Sequence, residues 1–232
     1  MFSCCCTETV EDSIQAIAVV SHNVLTSEPL DMEQFSTPFL RSEARRSQRP
    51  SMVFEAILRK EDPTAPFGWH VDTLHGKGIF ISTVLQDAST VVSRYNLAAP
   101  QKHRIQEGDF LMAINGVSGS ANDMAQELRV ATSLLVTIHR PERLRATCRK
   151  QGESLGLDLK YSVSSKSLHV GSIREGGVAQ RLLPDLRAGD RIVKVNGVRG
   201  TAVALLQLLT DQDELEVTWM RMPSFFSETG RG

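Results

Sequence analysis

Gly152-Glu153-Ser154-Leu155-Gly156 spells G-x-S-x-G, the spacing that sets a serine nucleophile on a sharp turn between a strand and a helix. Leu157-Asp158-Leu159-Lys160-Tyr161 follows and alternates like a strand. The helix that a nucleophile elbow needs is therefore missing, and no enzyme activity is expected. His22, His70, His75, His103, His139 and His169 form no H-E-x-x-H pair and read as ordinary exposed histidines. Gly76-Lys77-Gly78 reads as a hairpin turn, since no helix follows to receive a phosphate. Cys4, Cys5 and Cys6 are consecutive and lack a C-x-x-C pair, so no metal site and no cofactor are expected. Their thiols either stay reduced or carry S-acyl chains. Phe2 excludes N-myristoylation at this terminus, and two or more S-acyl chains would anchor it stably.

Two small hydrophobic-glycine loops remain. Pro66-Phe67-Gly68-Trp69 follows Arg59-Lys60 by a few residues, and Ser154-Leu155-Gly156-Leu157 follows Arg149-Lys150. They belong to an internal repeat. Gly108 to Ala121 reads G-D-F-L-M-A-I-N-G-V-S-G-S-A, and Gly189 to Ala202 reads G-D-R-I-V-K-V-N-G-V-R-G-T-A. Seven of the fourteen positions are identical at an offset of 81. A repeat of this kind sets the architecture before any single residue does. Upstream the offset grows to about 88, so the first copy holds roughly seven extra residues, most easily near Asn96 to Lys102.

The elements that must position these loops follow from periodicity. In the first copy Val53 to Leu58, Ile79 to Val84, Phe110 to Ile114 and Leu134 to His139 read as strands. Ala88 to Tyr95 reads as a short helix, and Ala121 to Ala131 as a longer one capped by Ser120. Asn115-Gly116 marks a tight turn. The second copy repeats the order, with Leu168 to Ile173, Val178 to Leu183, Arg191 to Val195, Ala202 to Leu209 behind Thr201, and Leu215 to Arg221. Pro141 closes the first copy, and Glu142 to Leu144 reads as a short junction that favours a fixed mutual orientation.

A basic pair, an apolar-Gly-apolar loop, a strand, a small helix, G-D-x-φ-φ-x-φ-N-G and a long helix together resemble the PDZ domain. The resemblance covers about residues 51–141 and 144–222. It implies a mainly β fold with two helices per unit, as two tandem partly open β-barrels. It also implies a groove between the strand after the loop and the long helix. Successive backbone N–H groups of such a loop form a nest that holds a peptide's terminal carboxylate, and the peptide adds to the strand edge. On this reading the first groove uses Lys60, Phe67, Gly68, Trp69, His70, Ala121, Ala125 and Leu128. The second uses Lys150, Leu155, Gly156, Leu157, Asp158, Ala202, Leu206 and Leu209. Trp69 either overhangs the groove or packs in the core. Many family members carry His at the first position of the long helix; Ala121 and Ala202 stand here, which implies an apolar ligand residue or a degenerate groove.

Composition adds exclusions. The chain has 232 residues, 41% hydrophobic, with a formal net charge of −1, so no global field draws nucleic acid. No run reaches the roughly 20 apolar residues of a membrane span, and Ile14 to Leu25 is short and broken by Ser21, His22 and Asn23. Residues 1–50 read as a disordered leader and linker, acidic at first and then rich in Arg41, Arg45, Arg46 and Arg49. Residues 223–232 read as a flexible tail. The expected protein is a cytoplasmic two-site adaptor for C-terminal or internal peptide segments. The alternative is a membrane-peripheral structural protein whose leader contacts lipid. Oligomeric state is left open.

Overall fold

The computed structural model describes residues 52–162 and 165–222, and the backbone of residues 17–19 and 45–46. The two leader pieces are strands β1 (Ile17–Val19) and β2 (Arg45–Arg46). The first unit then runs β3 (Met52–Arg59), β4 (Trp69–Asp72), β5 (Ile79–Val84), α1 (Val91–Ala98), β6 (Phe110–Ile114), β7 (Val117–Ser118), α2 (Ala121–Val130) and β8 (Ser133–Arg140). The second runs β9 (Glu142–Arg149), β10 (Leu157–Lys160), β11 (Leu168–Ile173), α3 (Val178–Leu182), β12 (Arg191–Val195), α4 (Ala202–Asp211) and β13 (Glu214–Arg221). The fold is mainly β, with two helices per unit and two sheets that do not close. One sheet has the order β3-β8-β6-β5-β4, with β7 beside β6; the other has the order β1-β10-β11-β12-β13-β9-β2.

The repeated residues explain the shared frame. Asp109 and Asp190 are buried, and each receives a two-pronged guanidinium from the last strand of its unit. Arg140 Nε and Nη2 reach Asp109 at 2.9 Å each, and Arg221 Nε and Nη2 reach Asp190 at 2.9 and 2.7 Å. The same carboxylates accept the backbone N–H of Gln106 and of Arg187, which closes the turn before β6 and β12. Asn115 and Asn196 sit at φ +50° and +51°, a left-handed conformation that asparagine tolerates. Their amides bridge to the last strand. Asn115 Oδ1 accepts from Leu135 N at 2.8 Å, and Asn196 Oδ1 accepts from Glu216 N at 2.6 Å. Ser120 and Thr201 cap α2 and α4, accepting from Asp123 N and Ala204 N. The extra residues of the first copy lengthen α1 and add a 3-10 turn at Gln101–His103, pinned by Asn96, whose amide accepts from Ile105 N and donates to Ile105 O.

Two sequence expectations change here. Glu142 to Leu144 is not a junction but the start of β9, which pairs with β13 over all eight residues; only Pro141 separates β8 from β9. Within the leader, residues 17–19 and 45–46 are strand rather than coil. β1 pairs antiparallel with β10, and β2 pairs antiparallel with β9.

The units dock through side chains that the repeat does not share. Arg191 stands where the first copy has Phe110, and it is wholly buried. It forms a two-pronged ion pair with Asp72 of the first unit, with Nη1 to Oδ2 at 2.8 Å, and Nη1 also donates to Ser167 Oγ. Its guanidinium lies 4.2 Å from the centroid of the Phe80 ring. Phe80 belongs to an apolar cluster with Phe110, Met112 and Met220, joined by Val193 and Met222. His75 meets both Phe110 and His169 edge-on, at 6.1 and 6.0 Å between ring centroids.

Candidate functional site

Each unit carries a glycine loop in a left-handed conformation ahead of its second strand. Gly68 has φ +93° and Gly156 has φ +72°. Both loops are tied through carbonyls to the following helix and to the residue just after the neighbouring strand. Val92 N donates to Phe67 O at 2.8 Å and Leu85 N donates to Gly68 O at 2.9 Å. In the second unit Ala179 N donates to Leu155 O at 2.9 Å and Arg174 N donates to Gly156 O at 2.8 Å. Gly68 packs closely: a Cβ there would lie 2.3 Å from Thr90, the cap of α1. At Gly156 the nearest atom would be Arg174 Cβ at 3.2 Å, so that loop is looser.

The long helix of each unit starts against the hairpin turn that follows the edge strand. Ala121 N donates to Gly76 O at 2.9 Å, and Ala202 N donates to Ser165 O at 2.7 Å. α2 thus begins at the turn after β4, and α4 begins at the segment after β10. A groove bounded by a strand edge, a helix and a loop of aligned amides accepts an extended chain and can hold a carboxylate at its closed end.

Most of the apolar residues assigned to the first groove from sequence lie in the core of the first unit. Phe67, Trp69, Ala121, Ala125 and Leu128 share one buried cluster. The two readings of Trp69 resolve to the core: the residue is 6% exposed and stacks on Phe67 at 5.9 Å. His70 is exposed on β4, at a bulge where the register shifts against β5. Lys60 holds its ammonium 4.3 Å from the Phe67 ring centroid, behind the loop.

In the second groove Leu155, Leu157, Ala202 and Leu209 are buried, Leu206 and Asp158 half-buried. Asp158 lies at the matching bulge. Lys150 is turned away from the loop. Its buried ammonium donates to Leu209 O and Thr210 O at 2.9 and 2.8 Å, neutralising the carbonyl end of α4, and burial lowers its pKa. Ser154 accepts from Gly156 N at 3.2 Å, so the serine of G-x-S-x-G braces its own loop and is followed by β10, not a helix. Among the described residues no group of His, Cys, Asp and Glu is arranged to hold a metal. Cys4, Cys5 and Cys6 lie outside the described residues.

The two edges differ. Among the described residues no strand pairs with the outer edge of β4. The outer edge of β10 carries β1, in the register Ile17 with Lys160, Ala18 with Leu159 and Val19 with Asp158. Sequence reasoning missed this pairing and the Asp72–Arg191 bond. The signals present were the β-branched alternation of Ile17 and Val19, and a charge at a repeat position whose counterpart is Phe110.

Comparison with known proteins places the second unit. Residues 146–215 match the model of the PDZ domain. No curated protein matches the chain. Among solved structures, INAD PDZ45 in complex with NG2 peptide is similar at 19% identity, covering 78% of this chain and 94% of that one, with a TM-score of 0.34. INAD PDZ45 with NORPA CC-PBM is similar at 17% identity, covering 74% and 91%, with a TM-score of 0.33.

Proposed function

We propose that this chain, whose residues 146–215 match the PDZ domain model and whose first unit repeats the same order of elements, is a non-enzymatic scaffold that binds peptide segments by strand addition. One observation carries the reading: the outer edge of β4 is unpaired among the described residues, directly after the left-handed Gly68 loop and before the turn at which α2 begins. An extended peptide antiparallel to β4 would gain main-chain hydrogen bonds, and its terminal carboxylate would meet the loop amides. His70, exposed on that edge, would face the ligand and select among sequences. A ligand of a few residues buries little surface, so affinity is about micromolar, near −8 kcal/mol.

The test is a peptide library, with free and amidated C-termini, read against the full chain. Preferential binding of free termini, altered in rank order by His70→Glu, is the expected result. Equal binding of both forms would remove carboxylate capture and leave internal segments as the ligands. No binding at all would overturn the function. The leader adds a membrane reading: acyl chains on Cys4, Cys5 and Cys6 would hold the scaffold at a cytoplasmic membrane face. Cell fractionation with and without hydroxylamine tests it, and a soluble protein in both arms would remove it.

A further inference from the structure

The apolar run Ile14 to Leu25 is too short for a membrane span. Its central residues, Ile17–Val19, are the strand β1 that lies antiparallel on β10. β10 is the edge that the second groove offers to a ligand, and antiparallel addition is how a ligand would use it. We infer that the second groove is built to take an internal segment of this same chain, so that the leader is its resident ligand and any external partner must displace it. The inference rests on the strand-addition reading of the grooves.

Three observations support an occupant from the same chain. First, the leader returns to the same sheet. β2 pairs with β9, so one leader borders both ends of the order β1-β10-β11-β12-β13-β9-β2. Second, the chain is long enough. Six inter-strand spacings of about 4.8 Å separate the two edges by about 29 Å along the sheet. The 25 residues between Val19 and Arg45 can span well over twice that distance when extended, at about 3.3 Å each. Third, residue types fit. Ile17 and Val19 are β-branched, which suits an added strand, and no Pro or Gly interrupts residues 14–25.

The occupant has no free carboxylate, because the chain continues past Val19 toward the loop end of β10. The second groove therefore recognises main chain and side chains rather than a terminus. Ser154 is consistent with this, since its hydroxyl already accepts from Gly156 N in that loop. A tethered segment acts at an effective concentration of about 1 mM. A short internal strand forgoes the carboxylate contact of a terminal ligand and binds more weakly than the micromolar case, at about 0.1 mM; the tether then fills the groove about 90% of the time and weakens an external ligand's apparent affinity about tenfold.

Disulfide trapping in the full chain tests the contact. Cys4, Cys5, Cys6 and Cys148 are changed to Ser, and Val19→Cys is combined with Asp158→Cys, whose positions face each other. Mild oxidation should give a monomer with an internal disulfide, read by intact mass and non-reducing gel. Val19→Cys with Ser172→Cys, one strand further away, should not close. Absence of the first disulfide, or its formation only between two chains, overturns the inference. A fluorescent peptide of residues 12–24 gives the second readout. It should bind full-length Ala18→Pro, whose strand is broken, about tenfold more tightly than the unaltered chain. Equal binding to both, or binding to neither, overturns the inference. Library binding measured with the Val19–Asp158 disulfide closed reports the first groove alone, so failure of the scaffold reading is seen separately.

Discussion

β4 and β10 occupy matching places in two copies of one frame, and they meet different fates. Among the described residues no strand pairs with the outer edge of β4, and its last residue, Asp72, is spent on the neighbouring unit. β10 carries the leader strand on its outer edge and contributes no residue to the Asp72–Arg191 bond. The residues that match between the copies build the frame: the two Asp–Arg pairs, the two Asn turns and the two helix caps. The residues that differ decide what each copy touches. Phe110 against Arg191 makes the docking surface asymmetric, and Trp69-His70-Val71-Asp72 against Leu157-Asp158-Leu159-Lys160 gives the two edges different chemistry.

The largest effect should come from the docking bond. Asp72→Ala leaves the Arg191 guanidinium buried opposite no carboxylate, which costs about 3–5 kcal/mol. Adding Arg191→Phe makes the second copy resemble the first at that position and should recover part of the loss, because an apolar replacement removes the unpaired charge. Denaturant unfolding of the single and double variants measures this. A loss under about 1 kcal/mol for Asp72→Ala would mean that the copies are not held together by the residue that distinguishes them.

The loops come next. Gly68→Ala and Gly156→Ala both force a side chain into the left-handed region, at about 1–2 kcal/mol. Gly68 adds a collision with Thr90 at 2.3 Å, whereas Gly156 has 3.2 Å to Arg174 Cβ. The first substitution should cost clearly more, about 3 kcal/mol against about 1–2. Equal losses would show that the two loops are packed alike.

Acid sharpens the comparison further, because each unit buries one histidine. Burial holds His139 of the first unit down to about 4; burial, then the nearby Arg191, holds His169 of the second down to about 3. An unfolded histidine titrates near 6.5. The folded state thus binds fewer protons than the unfolded chain below that pH. Its stability is complete above about pH 6.5 and falls as the pH drops toward 4 and then 3. Between pH 6.5 and 5 the loss is about 2 kcal/mol per histidine. His169→Phe and His139→Phe should each remove their share of that slope.

The frame was legible in the sequence because its signals are local. Asn-Gly turns, Ser120 and Thr201 caps and period-two strands each declare themselves within a few residues. The strand β9 also carries its own pattern, since Leu144, Ala146 and Cys148 alternate with charged or polar residues, although Pro141 directly before it has the form of a junction. The apolar residues assigned to the grooves are core in the structure: Phe67, Ala125 and Leu209 are buried, as apolar residues next to a strand edge must be to hold that edge in place. The pairing of β1 with β10 spans about 140 residues of sequence. Three-residue strands carry too little pattern to announce such a partner.

The smallest expected difference is at the helix caps, and it tests whether the frame is as symmetric as the repeat suggests. Ser120→Ala and Thr201→Ala each remove the hydroxyl that accepts one of the first helical N–H groups, at 3.3 Å in both units. Each should cost about 1 kcal/mol. α2 also places Asp123 in its first turn and Arg129 in its last, which complements the helix dipole, while α4 has neither. α4 compensates at its far end through the Lys150 ammonium on Leu209 O and Thr210 O. Lys150→Met should therefore destabilise α4 more than Lys60→Met destabilises α2, although the two lysines hold the same place in the repeat. Hydrogen exchange of the two helices, measured in the same sample, reads the difference directly. Equal protection after the two lysine changes would mean that the copies share their helix chemistry as well as their frame.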